Sequence, residues 1–481
     1  MAWDIVIAGG GFGGYYAART LERELPRNSA RITLVSDVNF MLFTPLLPGA
    51  AAGTLEPRHV VVPLREQLRR TDLWLGHVTG AAPDRNRLIV DSLDGRRHEL
   101  RYDQLIVALG SISRTLPIPG LAEHGVGFKT LSEAIALRNR AISMLEIAET
   151  VHDAEQRAEY LTFMFVGAGY AGLEGIAELQ DFVTDVVDLY PRCRVQGVRF
   201  ILVEARDRVM PEVPPGLAKF AERELRGRGM EIRTNTTVER LDARSVTLKG
   251  GEVIPCRTVA WTAGVKPHPV VGELGLPLTP AGRIDVDRTM RVRGRENVWA
   301  IGDAAGVPDP ARTDQACPPT AQHALRQAKR VARNVAATLG GNGRVRPFRY
   351  RTKGVFVDMG RHQAVASALG LKLRGFPAWF LARTYHLANM PGWHRKSRLV
   401  VDWTVSLVFP RDISELGQIG NPPELERAAI RGNRPPAGAV AGTPGAPAAE
   451  RAGGSAAPDG GADRTIAADE EAAHRPDHGR P

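Results

Sequence analysis

The sequence predicts an α/β protein with two doubly wound, mostly parallel units and a carboxy-terminal segment of different character. Two observations predict the units. Strand, glycine-rich turn and helix follow one another at residues 5–25 and again from residue 161, and further strands stop at glycines between and after them. The third observation concerns the segment: three of the chain's seven Trp (Trp379, Trp393, Trp403) fall within 25 residues, among Phe376, Phe380, Tyr385 and Phe409.

In order, the first unit is a strand at 5–8, the turn Gly9-Gly10-Gly11-Phe12-Gly13-Gly14, a helix to about residue 25, and a strand at 31–36 followed by Asp37. A strand at 102–109 stops at Gly110-Ser111. The second unit is a strand at 161–166, the turn Gly167-Ala168-Gly169-Tyr170-Ala171-Gly172, a long helix opening Leu173-Glu174, and a strand at 199–203 that ends in Glu204. Strands at 259–263 and 298–301 then stop at Gly264 and at Gly302-Asp303. Pro318-Pro319-Thr320-Ala321-Gln322 opens a helix to about residue 339, where proline suits a first turn.

Composition bounds the rest. The 481 residues carry a net charge of +10 and 43% hydrophobic residues, room for about three domains with ordinary cores. Three widely spaced cysteines (Cys193, Cys256, Cys317) include no C-x-x-C pair, which excludes a disulfide scaffold and a local dithiol. No nucleic-acid-binding motif accompanies the basic charge, so an anionic membrane surface is the expected partner rather than nucleic acid. No targeting segment precedes the first strand, and no run of 18 uncharged apolar residues predicts a spanning helix. Residues 431–481 hold 9 Gly, 7 Pro, 14 Ala and no aromatic, a composition that predicts disorder for the tail. No metal-ligating pattern is present.

Each glycine triplet, Gly9/Gly11/Gly14 and Gly167/Gly169/Gly172, has a physical reading. The first glycine permits the tight turn, the second lets a pyrophosphate approach the backbone, and the third brings helix and strand together. The helix amino terminus then offers N–H groups and a positive dipole end. Two copies, each between strand and helix and each trailed by an acid, predict two Rossmann-like dinucleotide-binding domains. Glu204 can accept both ribose hydroxyls of an adenosine and would repel a 2′-phosphate, which predicts NADH. It lies 37 residues beyond Gly167, more than the usual ~20. In the first unit Ser36 and Asp37 both compete for the ribose position. Two dinucleotides on one chain suggest a flavin beside a nicotinamide. Asp303 can bond a ribityl hydroxyl or simply cap a helix.

These residues resemble the single-chain, non-proton-pumping NADH:quinone oxidoreductases (type II NADH dehydrogenases), over residues 4–420. The resemblance rests on 7–14, on Asn39-Phe40-Met41-Leu42-Phe43-Thr44-Pro45-Leu46-Leu47-Pro48, on Lys129-Thr130-Leu131 and on 166–182. It continues in Trp261-Thr262-Ala263-Gly264, 299–305, 318–322, Tyr350-Arg351-Thr352-Lys353-Gly354 and Met359-Gly360-Arg361. It implies an FAD-binding domain in two parts (1–125 and 285–347), an NADH-binding domain (126–284), a membrane-docking domain on the quinone side (348–420) and a tail (421–481). By the same resemblance Gly9, Gly11, Gly13, Gly14, Asp37, Gly110 and Asp303 contact FAD, while Gly167, Gly169, Gly172, Glu204 and Gly264 contact NADH. Glu174 is then a proton or quinone-site group, and Ala321 and Gln322 line the quinone end of the flavin. The chain departs from the family pattern at Ser36, at Tyr170-Ala171 and at Arg326-Gln327.

The implied function carries two electrons from NADH through flavin to a membrane quinone, on the cytoplasmic face of the cell membrane, with a homodimer as one possible assembly. The composition of 371–420, 7 Lys+Arg against 3 Asp+Glu among aromatics, suits an interfacial element. Arg383 and Asp402 within its apolar runs argue for lying on the bilayer over crossing it. The alternatives are a sulfide:quinone or protein-acceptor reductase, and a flavin- and NAD(H)-binding redox sensor.

Overall fold

A computed structural model describes residues 2–415 except 313, 342, 351–353 and 369–370, so the tail expected at 421–481 lies outside the described residues. Strand β1 (Trp3–Ala8) pairs in parallel with β2 (Ala30–Ser36), and α1 (Phe12–Glu24) joins them, burying Tyr15, Ala17, Ala18 and Leu21 on the sheet. The sheet then grows in a way the sequence reading did not anticipate. Strand β3 (Thr71–Ala82) adds in parallel to β2, but β4 (Arg87–Ser92) and β5 (Arg97–Arg101) follow as an antiparallel meander. Short turns allow that pairing, whereas parallel strands need a long crossover. Strand β6 (Gln104–Val107) lies on the other side of β1.

The second sheet is parallel throughout. It contains β7 (Gly125–Gly127), β8 (Thr162–Val166), β9 (Arg199–Val203), β10 (Glu231–Arg233) and β11 (Thr258–Trp261), in the order β7-β11-β8-β9-β10. Helix α2 (Leu131–Thr150) starts at a reciprocal cap, Thr130 to the Glu133 N–H and Glu133 back to the Thr130 N–H. Helix α3 (Tyr170–Val186) follows β8 and buries Leu173, Ile176, Leu179 and Phe182. Phe163 and Phe165 of β8 are fully buried, each worth ~1.5–3 kcal/mol of transfer free energy.

The chain passes between the sheets twice, at Ser111–Ser113 and Val265–Pro267, and the two passages pair antiparallel with each other. Strand β12 (Val298–Ala300) then returns to the first sheet beside β6, making it seven-stranded, and α4 (Ala321–Thr338) packs on α1. A third part follows: an antiparallel sheet of β13 (Gly354–Asp358), β14 (Ala364–Ala368) and β15 (Leu371–Gly375), then α5 (Phe376–Asn389) and α6 (Trp393–Val408). Among the described residues no helix is long and apolar enough to cross a membrane.

Candidate functional site

The two glycine turns are near-copies. Gly9 and Gly167 both take φ +107°, a value that favours glycine, and their N–H groups donate to Val35 and Val203 at 2.8 Å. A methyl group added at Gly14 or Gly172 would lie 1.8 Å from the carbonyl oxygen of Gly9 or Gly167. One added at Gly11 or Gly169 would meet nothing within 4 Å. The third glycines are therefore packed shut and the second ones face open space at a helix start, which fits a pyrophosphate at each turn. Gly13 lies against Ala108 and Ile301.

Register settles which residues follow each second strand. Ala8 pairs with Val35 and Val166 with Val203, so Ser36 occupies the place that Glu204 holds in the second unit. Glu204 accepts from the N–H groups of Ala168 (2.7 Å) and Arg206 (3.0 Å). Ser36 is buried beneath Gly10 with no partner for its hydroxyl among the described residues, and Asp37 is exposed one step beyond.

Asp303 sits in a 3-10 turn, Gly302–Ala304, whose N-cap is Ile301, so it caps no helix. Its carboxylate accepts the Ser111 hydroxyl at 2.5 Å, and the Lys129 ammonium reaches Ser111 at 2.7 Å and Asp303 at 3.8 Å. Burial lowers the pKa of Lys129. Gln327, next to the departure at Arg326, is buried and accepts the Gly302 N–H at 2.8 Å, so it pins the turn that presents Asp303. Gly110 and Gly264 take φ +70° and +94° beside the passages between the sheets.

Glu174 and Gln322 meet at opposite ends of one strand. The Asp358 N–H donates to Glu174 at 3.0 Å, and the Gln322 amide donates to the Gly354 carbonyl at 3.4 Å, about 13 Å apart along β13. Thr320 caps α4 on the His323 N–H, which sets Ala321 and Gln322 in its first turn. Gln322 also accepts the Tyr350 hydroxyl at 2.8 Å, and Arg326 stacks 4.2 Å from that ring. Burial pushes the Glu174 carboxyl well above the usual carboxylate range. It lines a cavity of about 40 Å³ with Glu178, Asp358, Arg383, His386 and Trp403.

Sequence reasoning missed Glu178, Asp358 and His386, and it misread Arg383 and Asp402. Arg383 lines this cavity, and Asp402 accepts from Glu56 N–H (3.2 Å) and faces His59 (2.6 Å), so both point inward and say nothing about a bilayer. The aromatics also divide. Trp379 is buried, whereas Phe376, Phe380, Trp393, Val401, Val405 and Phe409 are exposed on α5, α6 and just beyond. All three cysteines are free and buried, each thiol pushed up to about 12 by burial, which does not suit thiolate chemistry.

A family profile described as pyridine nucleotide-disulphide oxidoreductase matches residues 3–328. The chain is 31% identical over 420 residues to a probable NADH dehydrogenase of Dictyostelium discoideum, covering 85% of this chain and 90% of that one. It is 31% identical over 425 residues to the type II NADH:quinone oxidoreductase Ndh of Mycobacterium tuberculosis, covering 85% and 88%. A solved structure of NDH2 from Plasmodium falciparum in complex with NADH superposes with a TM-score of 0.81 at 19% identity, over 86% of this chain and 100% of that one, a likeness of fold. The chain belongs to the pyridine nucleotide-disulphide oxidoreductases and, among them, to the type II NADH:quinone oxidoreductases.

Proposed function

We propose that this chain passes two electrons from NADH to a membrane quinone without pumping protons, with residues 1–125 and 285–347 holding FAD, 126–284 holding NADH and 348–420 facing the lipid. The pair of glycine turns, each closed at its third glycine and open at its second, carries the reading. FAD, when bound, supplies the two-electron chemistry that links a hydride donor to a quinone.

The protein's share is binding and orientation. Gly9, Gly11 and Gly14, with Gly13 behind them, would hold the FAD pyrophosphate, and Asp303, fixed by Ser111 and Gln327, would hold its ribityl chain. Gly167, Gly169 and Gly172 would hold the NADH pyrophosphate, with Glu204 on the adenosine ribose. Two N–H donors fix the orientation of the Glu204 carboxylate, and a carboxylate at that place favours a free 2′-hydroxyl over a 2′-phosphate. Glu174 and Gln322, held by β13, would flank the ring system on its quinone side. The exposed apolar residues of α5 and α6, beside Lys396 and Arg398, suit an anionic bilayer surface on the cytoplasmic side, for a monomer or a homodimer alike.

The test is anaerobic titration of the purified protein. The expected result is a yellow protein that bleaches with NADH and recovers with a menaquinone or ubiquinone analogue. A protein that bleaches and recovers only with other acceptors would overturn the quinone assignment.

A further inference from the structure

We propose that Glu178 and Asp358, with Arg383 beside them, hold and deliver the proton that quinone reduction takes from water. The proposal rests on the NADH:quinone reading above. Written in balance, NADH + quinone + H⁺ gives NAD⁺ + quinol. The hydride supplies two electrons and one proton, so a second proton must reach the quinone at each turnover.

Helix α3 carries a stripe suited to this. Glu174, Glu178, Asp181 and Asp185 are spaced four, three and four residues apart, which places them on one face over about 16 Å. Like charges at that spacing disfavour a helix, and here they lie along a helix that is otherwise largely apolar and buried. The stripe divides in two. Asp181 and Asp185 are matched by cations: Arg361 at 2.9 Å from Asp181, and Arg411 at 3.6 Å from Asp181 and 3.3 Å from Asp185. Glu174 and Glu178 make no ion pair among the described residues. Glu178 accepts the Thr54 hydroxyl at 3.3 Å, and Asp358 accepts the Gly360 N–H at 3.0 Å while its own N–H holds Glu174.

The cavity of about 40 Å³ joins these three carboxyls. That volume admits water, since a single molecule needs about 10–15 Å³ by the same measure. Arg383 enters it and forms no ion pair among the described residues. Its guanidinium stacks 4.2 Å from the Trp379 ring and 5.0 Å from the Trp403 ring. The groups that face Glu178 are Glu174 and Asp181 from α3, Asp358 from β13, Arg383 and His386 from α5, and Arg411 after α6. His386 is pushed down to about 4 by burial and adds no positive charge. Three enclosed carboxyls against one guanidinium cannot all ionise. Burial and the Asp358 charge push Glu178 up to about 7, and Asp358 is raised as well. Glu178 therefore keeps its proton up to about 7, with the raised Asp358 carboxyl facing the same cavity. The cavity is roomy enough for water and also reaches Glu174, five residues into α3.

The test compares two acceptors on the holoenzyme. Ferricyanide removes electrons without taking a proton, whereas a quinone takes both. In E178Q and D358N the ratio of quinone to ferricyanide turnover should fall about tenfold or more, below the ~10²–10⁴ typical of losing a general acid outright. The inflection near pH 7 in the wild-type quinone rate should flatten in E178Q, and E178D should restore part of it. Independently of turnover, infrared titration of the oxidised protein should show a protonated-carboxyl signal that titrates near 7 and is missing in E178Q. If E178Q fails to fold, D358N and E178D carry the same comparison. Wild-type ratios and pH profiles in E178Q and D358N would overturn the proton-holding role while leaving the quinone reading intact. A wild type that reduces ferricyanide but no quinone would overturn both, even with the infrared signal present.

Discussion

At Gly14 and Gly172 the distance to a neighbouring carbonyl leaves no room for a methyl group. In G172A the new Cβ would lie 1.8 Å from the Gly167 oxygen and 2.5 Å from the Thr262 hydroxyl. We expect G14A to purify colourless, and G172A to stay yellow but to show at least a tenfold higher KM for NADH; absorbance and a fluorescence titration read the two outcomes. Replacing Glu204 with Ala should raise the KM for NADH about tenfold with kcat little changed, as expected for one lost charge-assisted ribose contact. The glycine turns were legible in the sequence because their geometry is local, a first glycine at positive φ and a third in contact with it. The choice between Ser36 and Asp37 was not, because it depends on the register of β1 against β2. Register also left Ser36 with a buried hydroxyl, without a partner among the described residues, that no spacing rule announces.

At the level of elements, α3 shows why half of the site stayed hidden. Its acids at 174, 178, 181 and 185 are visible as a spacing, but their burial is made by β13 and α5, which come from about 180 residues further on. A helix does not disclose what will cover it. The consequence for stability has a definite sign. The unfolded chain releases the Glu178 proton in the ordinary carboxylate range, whereas the folded chain keeps it up to about 7, so folding binds protons in that window. Stability should therefore fall as pH rises through the window and be unaffected below it. Thermal melts should show E178Q above wild type at about pH 8, by on the order of 2 kcal/mol, with the gap closing towards pH 5. Helix α6 was read correctly as apolar and aromatic, but its charged residues were not. Asp402 and Arg395 tie it to Glu56, His59, Arg58 and Glu66.

On the scale of the whole molecule, those ties turn the remaining face of α6 outward. Val401, Val405, Val408 and Phe409 are each roughly half exposed or more. A double substitution, V401D/V405D, should lower sedimentation with anionic vesicles about tenfold. Ferricyanide turnover in solution should hold, and wild-type binding should weaken as salt rises, because the net charge of +10 contributes to it. The doubly wound architecture was legible from alternating strands and glycine turns. The antiparallel meander of β3, β4 and β5 was not, since residues 71–101 contain no motif and their pairing is decided by short turns.

The late return of β12 to the first sheet has a consequence during synthesis. Leu105, Ile106 and Val107 pair with Val298, Trp299 and Ala300, each of which leaves the ribosome 193 residues after its partner. At ~5–20 residues per second the nascent chain waits about 10–40 s with that apolar strand edge unpaired, while the strands of the second sheet are made. A bare edge of this kind invites pairing with other chains. Expression yield should thus depend on a chaperone that shields the growing polypeptide.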